Sequence, residues 1–291
     1  MELAIVDSHI HFWDPDRLQY DWLADVPAIN RAFHPLDLGE QAAQVNLKKI
    51  VFVQGDCIAE HSIQEVEWVS ALAKDEPRIQ GVVAFAPLEQ GVAVREHLQI
   101  MTQYPLVKGI RRLIQSEKAG FCGQPDFVKG VQLLPEFGLS FDICVLHHQL
   151  GEVIELVGQC PEVSFVLDHM GKPNLKAGLL DPWREQIKTL AAFPNVHCKI
   201  SGLVTEADRE NWTREQLKPY IDHVIEAFGL DRVMYGGDWP VSLLATTYQE
   251  WLETVAWATN ELADEAKVKL FYQNAADLYR LDITKSNKFS F

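Results

Sequence analysis

The sequence contains few cysteines and little positive charge, and both shortages exclude classes of protein. Five cysteines are scattered over 291 residues without a Cys-x-x-Cys pair. A disulfide framework or a cysteine zinc site is therefore not expected, and a reducing compartment fits best. Lysine and arginine number 26 against 41 aspartates and glutamates, which gives a formal net charge of −15. A surface this acidic repels nucleic acid and anionic lipid. We therefore expect neither as a partner.

Long apolar segments and linkers are also missing. No run of about 18 apolar residues is present, and no basic segment followed by an apolar one opens the chain, so we expect neither a membrane span nor export, and a cytoplasmic location. No stretch rich in Pro, Gly or Ser divides the chain. We therefore expect residues 1–291 to form a single domain. A homo-oligomer is compatible with the sequence, which leaves the oligomeric state open.

Apolar, β-branched runs of strand length recur along the chain. The first begins near residue 3, and seven more cover residues 49–54, 81–86, 107–111, 139–145, 163–169, 196–201 and 232–238. Their mean spacing of roughly 33 residues is close to one β/α unit of a barrel. Near-continuous apolar strands are typical of parallel sheets that are covered on both faces.

Stretches of helical period separate these runs, at 63–74, 127–137, 150–159, 183–193 and 217–228. The alternation predicts an α/β protein with a (β/α)8 barrel, the TIM barrel. An open doubly wound sheet is the alternative, but the first strand is not followed by its Gly-rich fingerprint. Residues 248–279 are predicted to form helices that close the barrel, and 285–291 a frayed end.

A long loop rich in aromatic residues follows the first strand, from Phe12 to His34. So many aromatic side chains would be costly to leave in water, which predicts that the loop is ordered. It could be a lid over a site or a packed rim of the barrel, and the sequence does not choose between the two.

Polar residues stand where the predicted strands end, which is where (β/α)8 barrels carry their active sites. The first strand ends in His9 and His11, whose side chains share one face because strand residues alternate. His169 ends the sixth strand and Asp238 the eighth. Since the eighth strand closes against the first, these four side chains should meet at one mouth. They suit a single divalent metal ion, zinc most simply, with open coordination positions.

Five segments taken together resemble the amidohydrolase superfamily, and within it the branch of sugar-lactone and pyrone lactonases. They are residues 6–15 (VDSHIHFWDP), 109–111 (GIR), 165–173 (FVLDHMGKP), 199–203 (KISGL) and 234–240 (MYGGDWP). The first segment, together with residues 20–23 (YDWL), is most similar to enzymes that open aldonic acid lactones such as fucono- or rhamnono-lactone. The resemblance implies a barrel with a metal pair in some members and one metal or none in others.

The end of the fourth strand departs from the binuclear members of that superfamily. Those members place a carboxylated lysine or a glutamate there, whereas this chain has Arg111-Arg112. A guanidinium cannot bind a cation, so we expect one divalent ion at most, which could be dispensable, and no organic cofactor. Arg111 should face inward and bind substrate, while Arg112 should face the helices unless it lies past the strand and turns inward. The pair His147-His148 matches no firm motif and is either a fourth ligand or a loop pair.

Opening a lactone requires a base for water, a donor or cation for the oxyanion, and a proton for the departing hydroxyl. Asp238 is expected to be the base and then the acid, since it can return the proton it takes. His9, His11 and His169 would hold the metal or donate to the carbonyl oxygen. We therefore expect a hydrolase of a small cyclic ester, a sugar 1,4- or 1,5-lactone, that acts in carbohydrate catabolism and yields the aldonic acid.

Several neighbouring residues are candidates for supporting roles. Trp13 and Trp239 could form apolar walls for a sugar ring. Lys172 and Lys199 could bind substrate or pair with carboxylates of the barrel. Asp168 should point away from His169, to the opposite face, and bond a loop or orient a neighbour.

Two other functions remain open. One is a lactonase for pyrone- or muconate-type lactones, or a decarboxylase, on the same fold. Such substrates carry several carboxylates and would require several inward arginines, whereas only Arg111 is well placed, which favours a neutral sugar. The other is a barrel that binds a sugar without turnover, against which an intact Asp238 argues.

Overall fold

Eight parallel strands pair in the order in which they occur along the chain. The computed structural model describes residues 3–282. The (β/α)8 barrel predicted from the sequence is confirmed, with every predicted strand present within a few residues of its expected bounds. The strands are β1 (Ile5–Ile10), β2 (Leu47–Val53), β3 (Ile79–Ala84), β4 (Val107–Arg111), β5 (Ser140–Ile143), β6 (Phe165–Leu167), β7 (Val196–Ile200) and β8 (Val233–Tyr235).

Helices connect and cover the strands, and each of the five predicted helical stretches contains one. Helices α1 (Pro35–Gln41) and α3 (Arg95–Met101) have 7 residues each, too few for a clear helical period, and were not predicted. Within residues 3–282, every helix is too short or too polar to cross a bilayer. The helices are α1 (Pro35–Gln41), α2 (Ser62–Asp75), α3 (Arg95–Met101), α4 (Pro125–Gln132), α5 (Leu150–Gln159), α6 (Trp183–Ala191), α7 (Arg214–Phe228), α8 (Tyr248–Ala258), α9 (Asp264–Val268) and α10 (Asn274–Leu278), with a π-helical turn at Lys269–Gln273 before α10.

The barrel closes where the segment after β8 lies along β1. The Trp239 carbonyl accepts the His11 amide at 2.7 Å, and the His9 carbonyl accepts the Asp238 amide at 2.8 Å. These bonds extend parallel pairing beyond the last residue of β8. They also bring the two histidines next to Asp238, as the predicted closure requires.

The C-terminal helices close the amino-terminal end of the barrel. Inward-facing strand residues and the C-terminal segment form an apolar cluster there, separate from the large core between the sheet and the outer helices. The π-turn, α10 and the residues after it therefore form the floor of the barrel and have the predicted closing role. Helix α8 packs outside the barrel. The predicted frayed end at 285–291 lies outside the described residues. Cluster members include Val6, Val51, Val53, Val83, Val166 and Met234 from the strands, with Tyr272, Ala275, Ala276, Tyr279 and Leu281.

The loop between β1 and α1 folds over the carboxyl-terminal mouth of the barrel. Trp13 and Phe33 exchange backbone hydrogen bonds of 3.2 and 2.8 Å, which tie the two ends of the loop together. The Trp13 indole donates to the Ile29 carbonyl at 3.2 Å, and the Trp22 indole donates to Gly55 after β2 at 2.9 Å. This roof loop, residues 11–34, thus packs as a rim and also covers the mouth.

Candidate active site

A register shift in β1 directs the histidines into the barrel. Val6 belongs to the interior cluster, so strict alternation would turn His9 outward. The pairing with β2 shifts between Asp7 and Ile10, which turns His9 inward. Alternation then places His11 on the same side. The two imidazole rings pack edge to face with centroids 4.9 Å apart.

The buried Asp7 carboxylate stabilises this shift, a role that sequence reasoning missed. It accepts the amides of His9 and Gly237, both at 2.9 Å, and the Tyr248 hydroxyl at 2.8 Å. Burial raises the pKa of Asp7 to about 7, against the lowering effect of these hydrogen bonds. Asp7 therefore links three elements beneath the site, namely β1, the segment that follows β8, and α8.

Asp238 lies among three imidazoles. Its Oδ1 is 3.5 Å from His11 Nε2, 3.7 Å from His9 Nε2 and 3.9 Å from His169 Nε2. The structure thus brings together the four side chains that the strand ends predicted. All four are buried, which excludes bulk water and strengthens their mutual electrostatics.

His169 reaches the site from a turn rather than from a strand. Strand β6 ends at Leu167, and His169 has a left-handed backbone with φ of 53°. Its Nδ1 lies 2.9 Å from the Ser201 hydroxyl beyond β7. The turn and this contact together orient Nε2 toward Asp238.

Our expectation that Asp168 points to the opposite face is wrong. The strand ends two residues earlier than the apolar pattern predicted, so alternation does not apply to this residue. Asp168 is fully buried, with Oδ1 3.3 Å from His9 Nδ1 and 3.0 Å from Lys199 Nζ. Lys199 is likewise fully buried, so it pairs with barrel carboxylates, the second of the two roles considered for it.

The protonation states favour base chemistry at neutral pH. Burial lowers the pKa of His9 and His169 well below the usual value, so both imidazoles are neutral. Burial alone would raise the pKa of Asp238, but His169, His11 and Lys172 outweigh it and leave this pKa below its ordinary value. The result is an ionised Asp238 carboxylate beside neutral His9 and His169.

Two overlapping triads of donor atoms could hold a metal ion, each with its atoms within 4.8 Å of one another. In the first triad, His9 and His11 lie 3.7 and 3.5 Å from Asp238. These separations are close to the roughly 3.3 Å between ligands of a tetrahedral zinc ion with bonds of about 2 Å. The second triad joins His9 to Asp168 and His169. Because Asp168 is already bound by Lys199, the first triad fits better.

The tautomer of His11 supports the same triad. His11 Nδ1 lies 2.7 Å from the Val53 carbonyl, which can only accept, so this nitrogen carries the proton. With Nδ1 anchored in this way, Nε2 faces Asp238 Oδ1 at 3.5 Å, on the side of the first triad. His169 stands beside this triad, and His147-His148 belongs to neither triad of the described chain.

A cavity of about 220 Å³ opens above these groups. This is below the ~300 Å³ at which drug-sized sites begin, so the cavity suits a small molecule. Trp13 and Trp22 line it as apolar walls, and Asp56 and Lys172 supply charge. Trp22 comes from the roof loop, whose fold over the mouth no local pattern shows.

Trp239, expected as an apolar wall, is not among the residues that line the cavity. Its ring is fully buried and packs edge to face against Phe12 and Phe33, with centroids 6.1 and 5.4 Å away. Its backbone pairs with β1, so its side chain turns away from the cavity into the core under the roof loop. Trp22 occupies the role of second aromatic wall.

The cations around the cavity are already partly engaged. Arg111 is only 3% exposed, and its Nη2 donates to the Gln54 carbonyl at 2.5 Å. Arg112 lies past the end of β4 and pairs with Glu89 and Glu117 at 3.1 and 2.6 Å, away from the cavity. Lys172 donates to Gln115, a second cavity residue that sequence reasoning missed, at 2.7 Å. Lys172 is the cation best placed to reach a substrate.

Comparison with known proteins agrees with the resemblance seen in the sequence. The chain is 33% identical to the L-fucono-1,5-lactonase of Burkholderia multivorans, over 95% of this chain and 96% of that protein. It is 22% identical to the L-rhamnono-gamma-lactonase of Scheffersomyces stipitis, over 95% and 98%. Two crystal structures of an amidohydrolase from Burkholderia multivorans, one with bound HEPES and one with bound zinc, superpose with a TM-score of 0.86. They share 31% identity over 96% of this chain and 100% of theirs.

The family assignment rests on nearly the whole chain. Residues 6–281 match the family described as Amidohydrolase. This range runs from the first strand through the barrel floor, and it includes the four side chains that meet at the mouth. The chain belongs to the amidohydrolase family.

Proposed function

We propose that this protein hydrolyses a neutral sugar lactone to the corresponding aldonic acid. One observation carries the proposal: Asp238, an ionised carboxylate in a small cavity, lies within 3.9 Å of the Nε2 atoms of three histidines. Such a group can accept a proton from water. The relatives named L-fucono-1,5-lactonase and L-rhamnono-gamma-lactonase, which align over almost their full lengths, support this substrate class.

Asp238 would act as base and then as acid. It accepts a proton from the water whose oxygen attacks the lactone carbonyl carbon. The tetrahedral oxyanion then collapses and breaks the bond to the ring oxygen. Asp238 returns its proton to that oxygen, which leaves as a hydroxyl. One water is consumed, and the new carboxylic acid releases one proton at neutral pH.

Lys172 and His169 are the candidates to stabilise the oxyanion. Burial alone would lower the pKa of Lys172, but Cys144, Glu206 and Asp238 outweigh burial and raise this pKa above its ordinary value. The ammonium therefore stays charged. One of its N–H bonds goes to Gln115, which leaves others for a substrate oxygen. The Ser201 hydroxyl beside His169 Nδ1 can donate, in which case His169 Nε2 donates to the oxyanion.

His9, His11 and Asp238 would hold one divalent ion, zinc most simply, through the first triad. When bound, it would act as a Lewis acid on the carbonyl group. Asp238 Oδ1 faces the histidines, while Oδ2 lies on the side of the Gly202 turn. One oxygen of this carboxylate would belong to the triad, and the other would accept the proton of water.

The charges around the cavity favour a neutral substrate over a dicarboxylate. Arg111 and Arg112 are engaged by protein groups, and Asp56 adds negative charge to the lining. A substrate with several carboxylates would meet Lys172, which already lies 3.8 Å from Glu206, as its main cationic partner and Asp56 as a repulsive group.

A proton-release screen tests the proposal. Purified protein is assayed with fucono-, rhamnono- and related aldonolactones beside pyrone and muconate-type lactones. We expect turnover of a neutral aldonolactone. Turnover of the carboxylated lactones alone would replace the substrate class, and tight sugar binding without turnover of any lactone would favour a binding protein.

Replacing the proposed base tests the mechanism. Asp238→Asn should lower kcat by at least about 100-fold, because a carboxamide cannot accept the proton. Asp126→Asn, at an exposed carboxylate on α4, is the matched control and should change nothing. Wild-type turnover by a folded Asp238→Asn protein would show that the base lies elsewhere.

Metal removal tests the proposed ion. Metal analysis of the purified protein should find at most one equivalent, since the two triads share His9. The family resemblance also places Arg111 where binuclear members carry a bridging ligand. Activity is then compared before and after treatment with EDTA and after adding zinc. Two equivalents per chain would contradict the mononuclear site.

A further inference from the structure

The interior of the barrel beneath the cavity contains a network of fully buried charges. Lys199 Nζ lies 2.6 Å from Asp142 Oδ2 and 3.0 Å from Asp168 Oδ1. Arg111 Nη1 lies 3.5 Å from Asp168 Oδ2, so two carboxylates face two cations. Burying charges costs several kcal/mol per ion before pairing, and apolar side chains of similar volume often pack as well. A role beyond packing is therefore expected of this network.

The lower end of the network is the barrel floor. Tyr279, the residue after α10, donates its hydroxyl to Asp142 Oδ2 at 2.6 Å. The Tyr279 ring belongs to the interior cluster, and Lys199 Nζ lies 5.5 Å from its centre. The C-terminal segment thus contributes a polar group to the centre of the barrel.

The upper end of the network is His9. Its Nδ1 lies 3.3 Å from Asp168 Oδ1 and 3.3 Å from Lys199 Nζ. Its Nε2 lies 3.4 Å from Arg111 Nη1 and 3.7 Å from Asp238 Oδ1. Among the described residues, no hydrogen bond of good geometry reaches Asp168 Oδ1, although this oxygen is buried.

These contacts favour one tautomer of His9. Lys199 Nζ lies closer to Asp142 Oδ2 and Asp168 Oδ1, at 2.6 and 3.0 Å, than to His9 Nδ1 at 3.3 Å, so its N–H bonds go first to the carboxylates. With the proton on Nδ1, His9 can donate to Asp168 Oδ1, and the Nε2 lone pair can accept from the N–H of Arg111. With the proton on Nε2, the N–H groups of His9 and Arg111 would point at each other. Asp168 Oδ1 would also lose the hydrogen bond that His9 Nδ1–H can donate. Arginine has no acceptor, so it cannot adapt to that alternative.

We propose that Asp168 and Lys199 are positioning residues that hold His9 as its Nδ1–H tautomer and so keep the Nε2 lone pair on the side of the first triad. Tyr279 supports them from the floor through Asp142. The inference deepens the proposed function, because the reaction assigned above uses His9 at the same site. Through Tyr279, the C-terminal segment would then help to position His9 in the site.

Nitrogen-15 NMR of the histidine rings tests the proposal without relying on turnover. Spectra of the full-length chain are recorded before and after treatment with EDTA, and His9 is assigned by the signals lost in His9→Gln. We expect the Nδ1–H pattern for His9 in the EDTA-treated protein. An Nε2–H pattern would overturn the proposal whether or not the protein is a lactonase, so the two hypotheses fail separately.

Variants test the network itself. Asp168→Asn and Lys199→Met should mix the His9 tautomers and lower kcat by about 10- to 100-fold, with KM changed less than about threefold. A general loss of structure would instead lower the melting temperature and the amount of active protein. If Asp168→Asn retains both the wild-type tautomer and the wild-type kcat, the proposal is wrong.

Tyr279→Phe keeps the proposal testable if the charge variants do not fold, since it removes one oxygen atom. It should lower kcat by about three- to tenfold, less than the direct contacts do. Tyr220→Phe is the matched control, because that hydroxyl lies outside the barrel, 3.5 Å from the Leu179 carbonyl. Equal kcat and equal His9 spectra for the two variants would exclude a role for the floor.

Discussion

At the scale of single residues, burial affects the carboxylates of this barrel in opposite ways. Asp168 and Asp238 keep pKa values below the ordinary one, because cations or imidazoles outweigh the effect of burial. Asp7 and Glu65 are also fully buried, but backbone amides are their main partners, and the pKa of each rises to about 7. The first pair can carry charge at neutral pH, whereas the second mainly holds backbone segments in place.

The raised pKa of Glu65 predicts a pH dependence of stability. This pKa rises from 4.5 to about 7 on folding, so the folded state binds more protons between these values. The stabilisation is complete below the unfolded pKa and is lost as the pH rises through 7. From pH 5 to pH 8 the wild type should lose about 2 to 3 kcal/mol more than Glu65→Gln.

Urea unfolding at the two pH values measures this difference. Glutamine retains an acceptor for the Gly55 amide, which Glu65 now accepts at 2.9 Å. Glu60→Gln, at an exposed glutamate nearby, should follow the wild type. Parallel pH profiles for wild type and Glu65→Gln would contradict the expected proton uptake.

At the scale of elements, the turn after β7 limits the geometry of the site. Gly202 has φ of 60°, and a Cβ there would lie 2.4 Å from His169 Nδ1 and 2.9 Å from Asp238 Oδ2. Only glycine leaves room for both groups. The close approach explains why a turn residue without a side chain stands beside the candidate base.

Gly202→Ala should therefore lower kcat/KM by about 100-fold or more, because small displacements of reacting groups have large effects. Gly178→Ala is the matched control, since its φ of 66° imposes similar strain in open space. The positive φ should cost both variants about 1–2 kcal/mol of stability. Gly202→Ala should lose more, because its Cβ must also displace His169. Full activity of Gly202→Ala would mean that His169 and Asp238 can shift without consequence.

The roof loop should affect binding more than chemistry. Trp22 lines the cavity and donates to the Gly55 carbonyl. Among residues 3–282, no hydrogen bond joins it to Asp238. Trp22→Phe should raise KM by about three- to tenfold with little change in kcat. Trp212→Phe removes a similar indole bond, 2.9 Å to Ala245, away from the cavity and should leave both constants unchanged. A fall in kcat alone would contradict this division of roles.

At the scale of the whole molecule, the C-terminal segment is part of the core. Leu281 is 4% exposed and packs in the interior cluster that closes the barrel. Leu281→Ala should reduce the free energy of unfolding by about 2 to 4 kcal/mol. Leu179→Ala, at a residue that is 54% exposed, should cost less than about 0.5 kcal/mol. Equal effects in urea unfolding would show that the floor is not part of the cooperative unit.

Strand periodicity alone was enough to predict the barrel and the meeting of its strand ends. In a (β/α)8 barrel the carboxyl ends of all strands share one mouth, so residues far apart in sequence can be assigned to one site. His9, His11, His169 and Asp238 were found in this way. Their chemical roles remain proposals, since position in the barrel does not establish a reaction.

Only the tertiary structure decided the contacts that strand alternation cannot describe. The early end of β6 turned Asp168 inward, and the register shift in β1 directed His9. The pairing of Trp239 with β1 buried its ring, while the roof loop supplied Trp22 instead. These outcomes depend on where strands end and how distant segments pack, and such non-local interactions leave no periodic signal in the sequence.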